Sequence, residues 1–116
     1  MIVGVQGTKN FSDYQILLRA MHTALSEKQD NDSDFFVYSA GPANINQMVK
    51  EFINVTERSM KGYGVRSKSL MVPPSWIEEN IKDFSYVIYL SKPGERTSSL
   101  VDVAEENNVD VGIYRY

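Results

Sequence analysis

The chain has 116 residues and a net charge of −3 at pH 7, with 12 Lys and Arg against 15 Asp and Glu. That length holds one hydrophobic core and one domain, residues 1–116, and that charge leaves no basic face of the kind duplex nucleic acid requires. The absence of cysteine excludes disulfides, thiolate chemistry and cysteine-ligated zinc.

No apolar run reaches the length of a membrane span, and no basic segment followed by an apolar stretch opens the chain, so no membrane partner is expected and the cytoplasm is the expected compartment. The first apolar run, Ile2 to Gln6, reads as a buried strand and passes into Gly7-Thr8-Lys9. A strand that hands over to a helix through such a turn leaves N–H groups and a cation where an anion binds. Ser12 with Gln15 reads as a capping box, and Tyr14, Leu17, Leu18, Met21, Ala24 and Leu25 recur at helical spacing from about Asp13 to Glu27. His22, the only histidine, lies in that helix and has no cysteine to share a metal with.

The polar, acidic stretch from Glu27 to Asp34 reads as a solvated loop. Phe35 to Tyr38 is a short aromatic and β-branched strand that breaks at Ser39-Ala40-Gly41-Pro42. Ile45, Met48, Val49, Phe52 and Ile53 describe a second amphipathic helix ending near Thr56 or a little later. Between Glu57 and Pro74 the pattern fails: Val65 to Val72 fits a short helix or an extended segment equally. Ser75 with Glu78 reads as a capping box for a short helix to about Ile81. Tyr86 to Leu90 is the clearest strand and stops at Ser91-Lys92-Pro93-Gly94. Thr97 or Ser98 then caps a helix bearing Leu100, Val101 and Ala104, and Val109 to Tyr114 is the last strand.

Strands alternating with helices predict an α/β fold with a mostly parallel sheet covered on both faces. Ligands of such sheets sit outside the carboxyl ends of the strands. Gly7, Thr8, Lys9, Ser39, Gly41, Lys92, Gly94, Arg96 and Thr97 all fall at that edge. Small residues admit a ligand to the backbone, hydroxyls donate to phosphate oxygens, and Lys and Arg supply charge. Neither a Walker-type loop nor a complete Gly-x-Gly-x-x-Gly is present. Groups for catalysis are few: Ser39 has no neighbouring histidine, and Glu105-Glu106 lies more than two helical turns beyond the last glycine turn.

The motifs resemble those of small Rossmann-like proteins of the SLOG superfamily, in its YspA-like branch. Gly7-Thr8-Lys9-Asn10-Phe11-Ser12-Asp13 is similar to that branch's opening Gly-Ser-Arg-Asp-Trp-Thr-Asp, and Ser39 to Asn46 falls where it has His-Gly-Gly-Ala-x-Gly-Ala-Asp. Gly64-Val65-Arg66-Ser67-Lys68 resembles its Pro-x-Arg-Asn-x segment, and Pro93-Gly94-Glu95-Arg96-Thr97 its Pro-Gly-Gly-x-Gly-Thr turn. The superfamily also holds the Lonely Guy phosphoribohydrolases and the Rossmann domain of DNA-processing protein A. The resemblance implies a Rossmann-like three-layer fold, and a site that adds Arg66 and Pro93 to the residues above. It also implies a nucleotide or nucleotide-derived phosphorylated ligand, no further cofactor, and self-association into a dimer or larger oligomer. Tyr86, Tyr89, Tyr114 and Tyr116 are available for such an interface or for packing.

The departures are specific. Ala40 and Asn44 replace two glycines of the second motif, and Asn46 replaces its acid. Lonely Guy enzymes hydrolyse with an arginine and a glutamate after the last glycine turn, whereas Ser98, Ser99 and Leu100 follow Thr97 here. The expectation is therefore a ligand sensor or sequestering protein, of the compact kind that suits a phage or mobile element. The alternatives are a nucleotide phosphoribohydrolase and a protein-interaction module without a ligand.

Overall fold

The computed structural model describes residues 1–28 and 32–116. The chain runs β1 (Ile2–Gly7), α1 (Tyr14–Ser26), β2 (Asp34–Ser39), α2 (Ala43–Gly62), β3 (Arg66–Met71) and α3 (Pro74–Glu79). A 3-10 turn (Ile81–Asp83), β4 (Tyr86–Ser91), α4 (Ser99–Glu106) and β5 (Asp110–Arg115) follow. All five strands are parallel, in the order β3-β2-β1-β4-β5. Helices cover both faces, which makes this a Rossmann-like three-layer α/β fold.

Burial explains which strands are central. Every residue of β4 is buried and β1 is buried at four of six positions, as expected of parallel strands covered on both faces. On one face, Val3, Val5, Phe35, Val37, Ile88 and Leu90 pack against Leu17 and Met21 of α1 and Ile45 and Phe52 of α2. On the other, Val87 and Phe84 pack against Ile77 of α3 and Leu100 and Ala104 of α4. Each fully buried Leu, Val or Phe contributes on the order of 1.5–3 kcal/mol relative to exposure.

The ambiguous segment after α2 is β3, an edge strand pairing from Asp34↔Arg66 to Ser39↔Met71. The helix before it runs to Gly62, beyond the end predicted near Thr56. It closes with Gly64 at φ +75°, the Val65 N–H on Met60 O at 2.9 Å and the Gly64 N–H on Lys61 O at 3.0 Å. These paired bonds are a Schellman closure, which needs a residue that accepts positive φ.

Two predicted caps move. Asp13, not Ser12, caps α1, its carboxylate accepting from the N–H of Gln15 at 3.1 Å and of Ile16 at 3.3 Å. The preceding loop is pinned through Phe11, which is fully buried, so the first turn begins after Asp13. The Ser75–Glu78 box does not form. Pro73 is the cap residue and Pro74 opens α3, where a missing N–H and a fixed φ cost nothing. Of the predicted loop from Glu27 to Asp34, residues 29–31 lie outside the described residues; Asp34 belongs to β2.

Candidate functional site

In sequence the chain steps from β1 outward to β2 and β3, then crosses back to β4 on the other side of β1. The loops after β1 and β4 therefore lead to helices on opposite faces, and the carboxyl edge between them is the ligand position in open α/β sheets. Gly7, Thr8, Lys9, Pro93, Gly94, Arg96 and Thr97 all lie on these two loops or at the strand end that feeds them. Ser39 and Gly41 stand at the neighbouring end of β2.

Close packing at this edge uses several groups that the sequence offers to an anion. The N–H of Gly7 donates to Gly41 O at 3.2 Å, and that of Thr8 to Leu90 O at 3.0 Å. The N–H of Gly41, at φ +84°, donates to Asn46 Oδ1 at 2.8 Å. Ser39 is buried and its hydroxyl donates to Leu70 O at 3.4 Å. The N–H groups of Gly7 and Gly41 thus both have protein partners. Gly7 is required sterically, because a Cβ there would sit 2.5 Å from Leu90 O and 2.7 Å from Ile45 Cδ1.

Two asparagines at the start of α2, Asn44 and Asn46, hold these turns in place. Asn46 holds Gly41. Asn44 donates from one amide nitrogen to Thr8 O at 3.1 Å and Phe11 O at 2.7 Å, clamping the β1 loop to the start of α2.

Bridging the two loops is Glu95, which the sequence did not single out. Its Oε1 accepts from the Thr8 hydroxyl at 2.7 Å and from the Lys92 N–H at 2.6 Å; its Oε2 accepts from the Asn10 amide at 3.4 Å. The Thr8 bond above all, then the Lys92 N–H, holds the carboxyl below the usual carboxylate range, against a small opposing effect of desolvation. Asn10 and the charge of Lys92 act in the same direction as the bonds. A carboxylate three residues after Lys92 is the one local signal that could have found it, since that spacing lets a side chain close its own turn.

The β4 loop is anchored separately along its backbone. The Arg115 guanidinium donates to the Glu95 carbonyl, and the Tyr89 hydroxyl donates to Arg96 O at 3.2 Å. Burial is the main cause that raises the Tyr89 hydroxyl above its ordinary pKa. Ser98 precedes α4, but its hydroxyl donates to Gln6 Oε1 rather than capping the helix.

Arg66 does not join this site. It begins β3 opposite Asp34, at the amino edge of a parallel sheet. There it contacts the Asp34 carboxylate at 3.1 and 3.3 Å and lies 5.3 Å from the centre of the Phe36 ring. Parallel pairing fixes this result, because the start and end of β3 face opposite ends of the molecule. Lys9, Lys92 and Arg96 remain at the carboxyl edge, exposed and without an ion pair among the described residues.

Three cavities lie elsewhere. One of about 480 Å³ is lined by Glu57, Lys61 and residues 64–67 at the amino edge. One of about 300 Å³ lies over the β2–β3 face, between Phe36, Tyr38, Arg66, Lys68 and Leu70. One of about 700 Å³ runs along the outside of α1 beside His22. Of the tyrosines available for an interface, Tyr86 and Tyr89 are buried in the core and Tyr116 is 52% exposed. No described helix is long and apolar enough to cross a membrane.

No family model, curated protein or solved structure matches the chain.

Proposed function

We propose that the protein binds a nucleotide or nucleotide-derived phosphorylated small molecule, in the crevice between residues 8–13 and 92–98, as a sensor or sequestering protein of SLOG type. The observation that supports this reading is the reversal of strand order between β1 and β4, which brings the loops carrying Lys9, Lys92 and Arg96 to the same carboxyl edge. In a chain of net charge −3, three unpaired cations on adjoining loops favour an anionic ligand. Turnover is not part of the proposal. After Thr97 the chain presents Ser98, engaged with Gln6, then Ser99 and a Leu100 that is 1% exposed. A carboxylate that would stabilise cationic character during N-glycosidic cleavage has no counterpart at those positions.

The test is titration calorimetry with nucleoside monophosphates, after native mass spectrometry for any retained nucleotide and for the oligomeric state. A charge-assisted contact to phosphate contributes on the order of 1.5–3 kcal/mol, so Arg96→Ala should weaken binding roughly tenfold to a hundredfold. Unchanged binding by Arg96→Ala and Lys9→Ala places the ligand elsewhere. Sustained release of free base by the parent protein makes it a phosphoribohydrolase instead.

One observation favours a protein-interaction module as a second reading. The β2–β3 face, with Phe36, Tyr38 and Lys68, stays open because α3 is only six residues long and reaches it just at Trp76, stacked on Tyr38 at 4.9 Å. Trp76 is the only tryptophan, so its fluorescence reports directly on anything that covers this face.

A further inference from the structure

We propose that the Thr8 hydroxyl, the Lys92 N–H and the Asn10 amide form the phosphate subsite of this crevice, and that the Glu95 carboxylate is its built-in occupant, displaced when ligand binds. The inference rests on the nucleotide-binding reading above and specifies which donors take the phosphate and what competes for them.

Three donors from two loops converge on one carboxylate, at 2.7, 2.6 and 3.4 Å. The loops belong to opposite sides of the strand reversal, so the convergence is tertiary and not a local turn alone. A phosphate oxygen asks for the same donors at the same distances, because both groups are anionic oxygen acceptors. Among the described residues Glu95 forms no ion pair within 4 Å; Lys92 acts on it only as a nearby charge, so Lys92, like Lys9 and Arg96, can turn to an incoming anion.

The exchange asks little of the backbone. The β4 loop is tied down through atoms other than this side chain: the Glu95 carbonyl by Arg115, the Arg96 carbonyl by Tyr89, and Ser98 by Gln6. Glu95 is half-buried, and its carboxylate can rotate into water while the loop stays in place. A free monoanion of similar strength gains nothing over an intramolecular carboxylate already at hand. A phosphate that also reaches the surrounding cations does. The crevice therefore selects phosphorylated ligands against simple carboxylates.

The test uses adenosine monophosphate and inorganic phosphate as probes, with binding measured by calorimetry and the Thr8 and Lys92 amide signals followed by NMR. Glu95→Gln keeps the size of the side chain and removes the competing charge, and should bind adenosine monophosphate at least tenfold more tightly than the parent. Glu79→Gln, an exposed charge on α3, should not change affinity. Adding Thr8→Val to Glu95→Gln should cancel most of the gain. In the parent protein, adenosine monophosphate should move the Lys92 amide signal, a readout that needs no variant to fold. Equal or weaker binding by Glu95→Gln, or a Lys92 signal that stays fixed while ligand binds, overturns the displacement and leaves the crevice reading intact. Failure of parent and variant alike to bind either probe overturns both.

Discussion

The hydroxyl of Thr8, one residue beyond β1, donates across 2.7 Å to the carboxylate of Glu95 in the loop after β4. This single bond spans the line at which the strand order reverses. It joins loops that lead to helices on opposite faces, and it sets how the crevice responds to proton and mutation.

Its first consequence is a pH dependence. The bonds to Glu95 lower its carboxyl from the usual value of 4.5, and the unfolded chain lacks them. A lowered native pKa contributes stability that is present above the unfolded value and is lost as pH falls through the folded one. Urea midpoints of the parent should therefore fall, relative to Glu95→Gln, as pH drops below the ordinary carboxylate range. Thr8→Val removes the largest cause of the shift and should bring the Glu95 titration back toward 4.5 in carboxyl-detected NMR. A Glu95 titration unmoved by Thr8→Val contradicts the assignment.

A second prediction concerns packing at the same edge. Gly7→Ala places a methyl 2.5 Å from a backbone oxygen of β4, which cannot yield without breaking the sheet, and 2.7 Å from Ile45. Overpacking of this kind costs about 1–3 kcal/mol. Gly62→Ala, in the last turn of α2, meets nothing within 4 Å and should stabilise by up to about 1 kcal/mol. Denaturant unfolding of the two variants side by side should give opposite signs.

A third concerns Arg66. Its ion pair with Asp34 is exposed, with side chains 73% and 40% accessible, so Arg66→Ala should cost well under about 1 kcal/mol. Since Arg66 lies at the amino edge, the substitution should leave the affinity for adenosine monophosphate unchanged, in contrast to Arg96→Ala. A matched loss of affinity in the two variants, measured by calorimetry, would mean that the ligand does not sit at the carboxyl edge.

The most legible parts of the fold are those whose burial is two-sided or periodic. β4 is apolar along its length, and α1 and α2 repeat their apolar residues every three or four positions, so sequence alone finds them, although it stops α2 short of Gly62. β3 was illegible because four of its six residues, Arg66 to Ser69, are polar. Exposed Arg66 and Lys68 alternate with half-buried Ser67 and Ser69, so the apolar alternation that marks a half-buried strand is missing. The site was half legible for a similar reason. Glycines and cations after the strands mark the edge, but the hydrogen bonds that use up the Gly7 and Gly41 donors come from Gly41 O and Asn46, which only the folded chain identifies. Glu95 escaped notice because two of its three donors are supplied by residues from the other end of the sequence.

The strand that is first in the sequence is the middle one in space. β1 pairs with β2 soon after it is made, but its other ladder, in which Val3 faces Tyr86, waits for a strand near the far end of the chain. During synthesis on the ribosome the β1–β2–β3 half therefore emerges with the inner edge of its most buried strand unpaired. Open apolar edges of this kind are where chains associate wrongly. A nascent chain paused before β4 is exposed to that hazard, and the arrival of residues 86–91 covers the open edge of β1 and leaves only the outer side of β4 for β5.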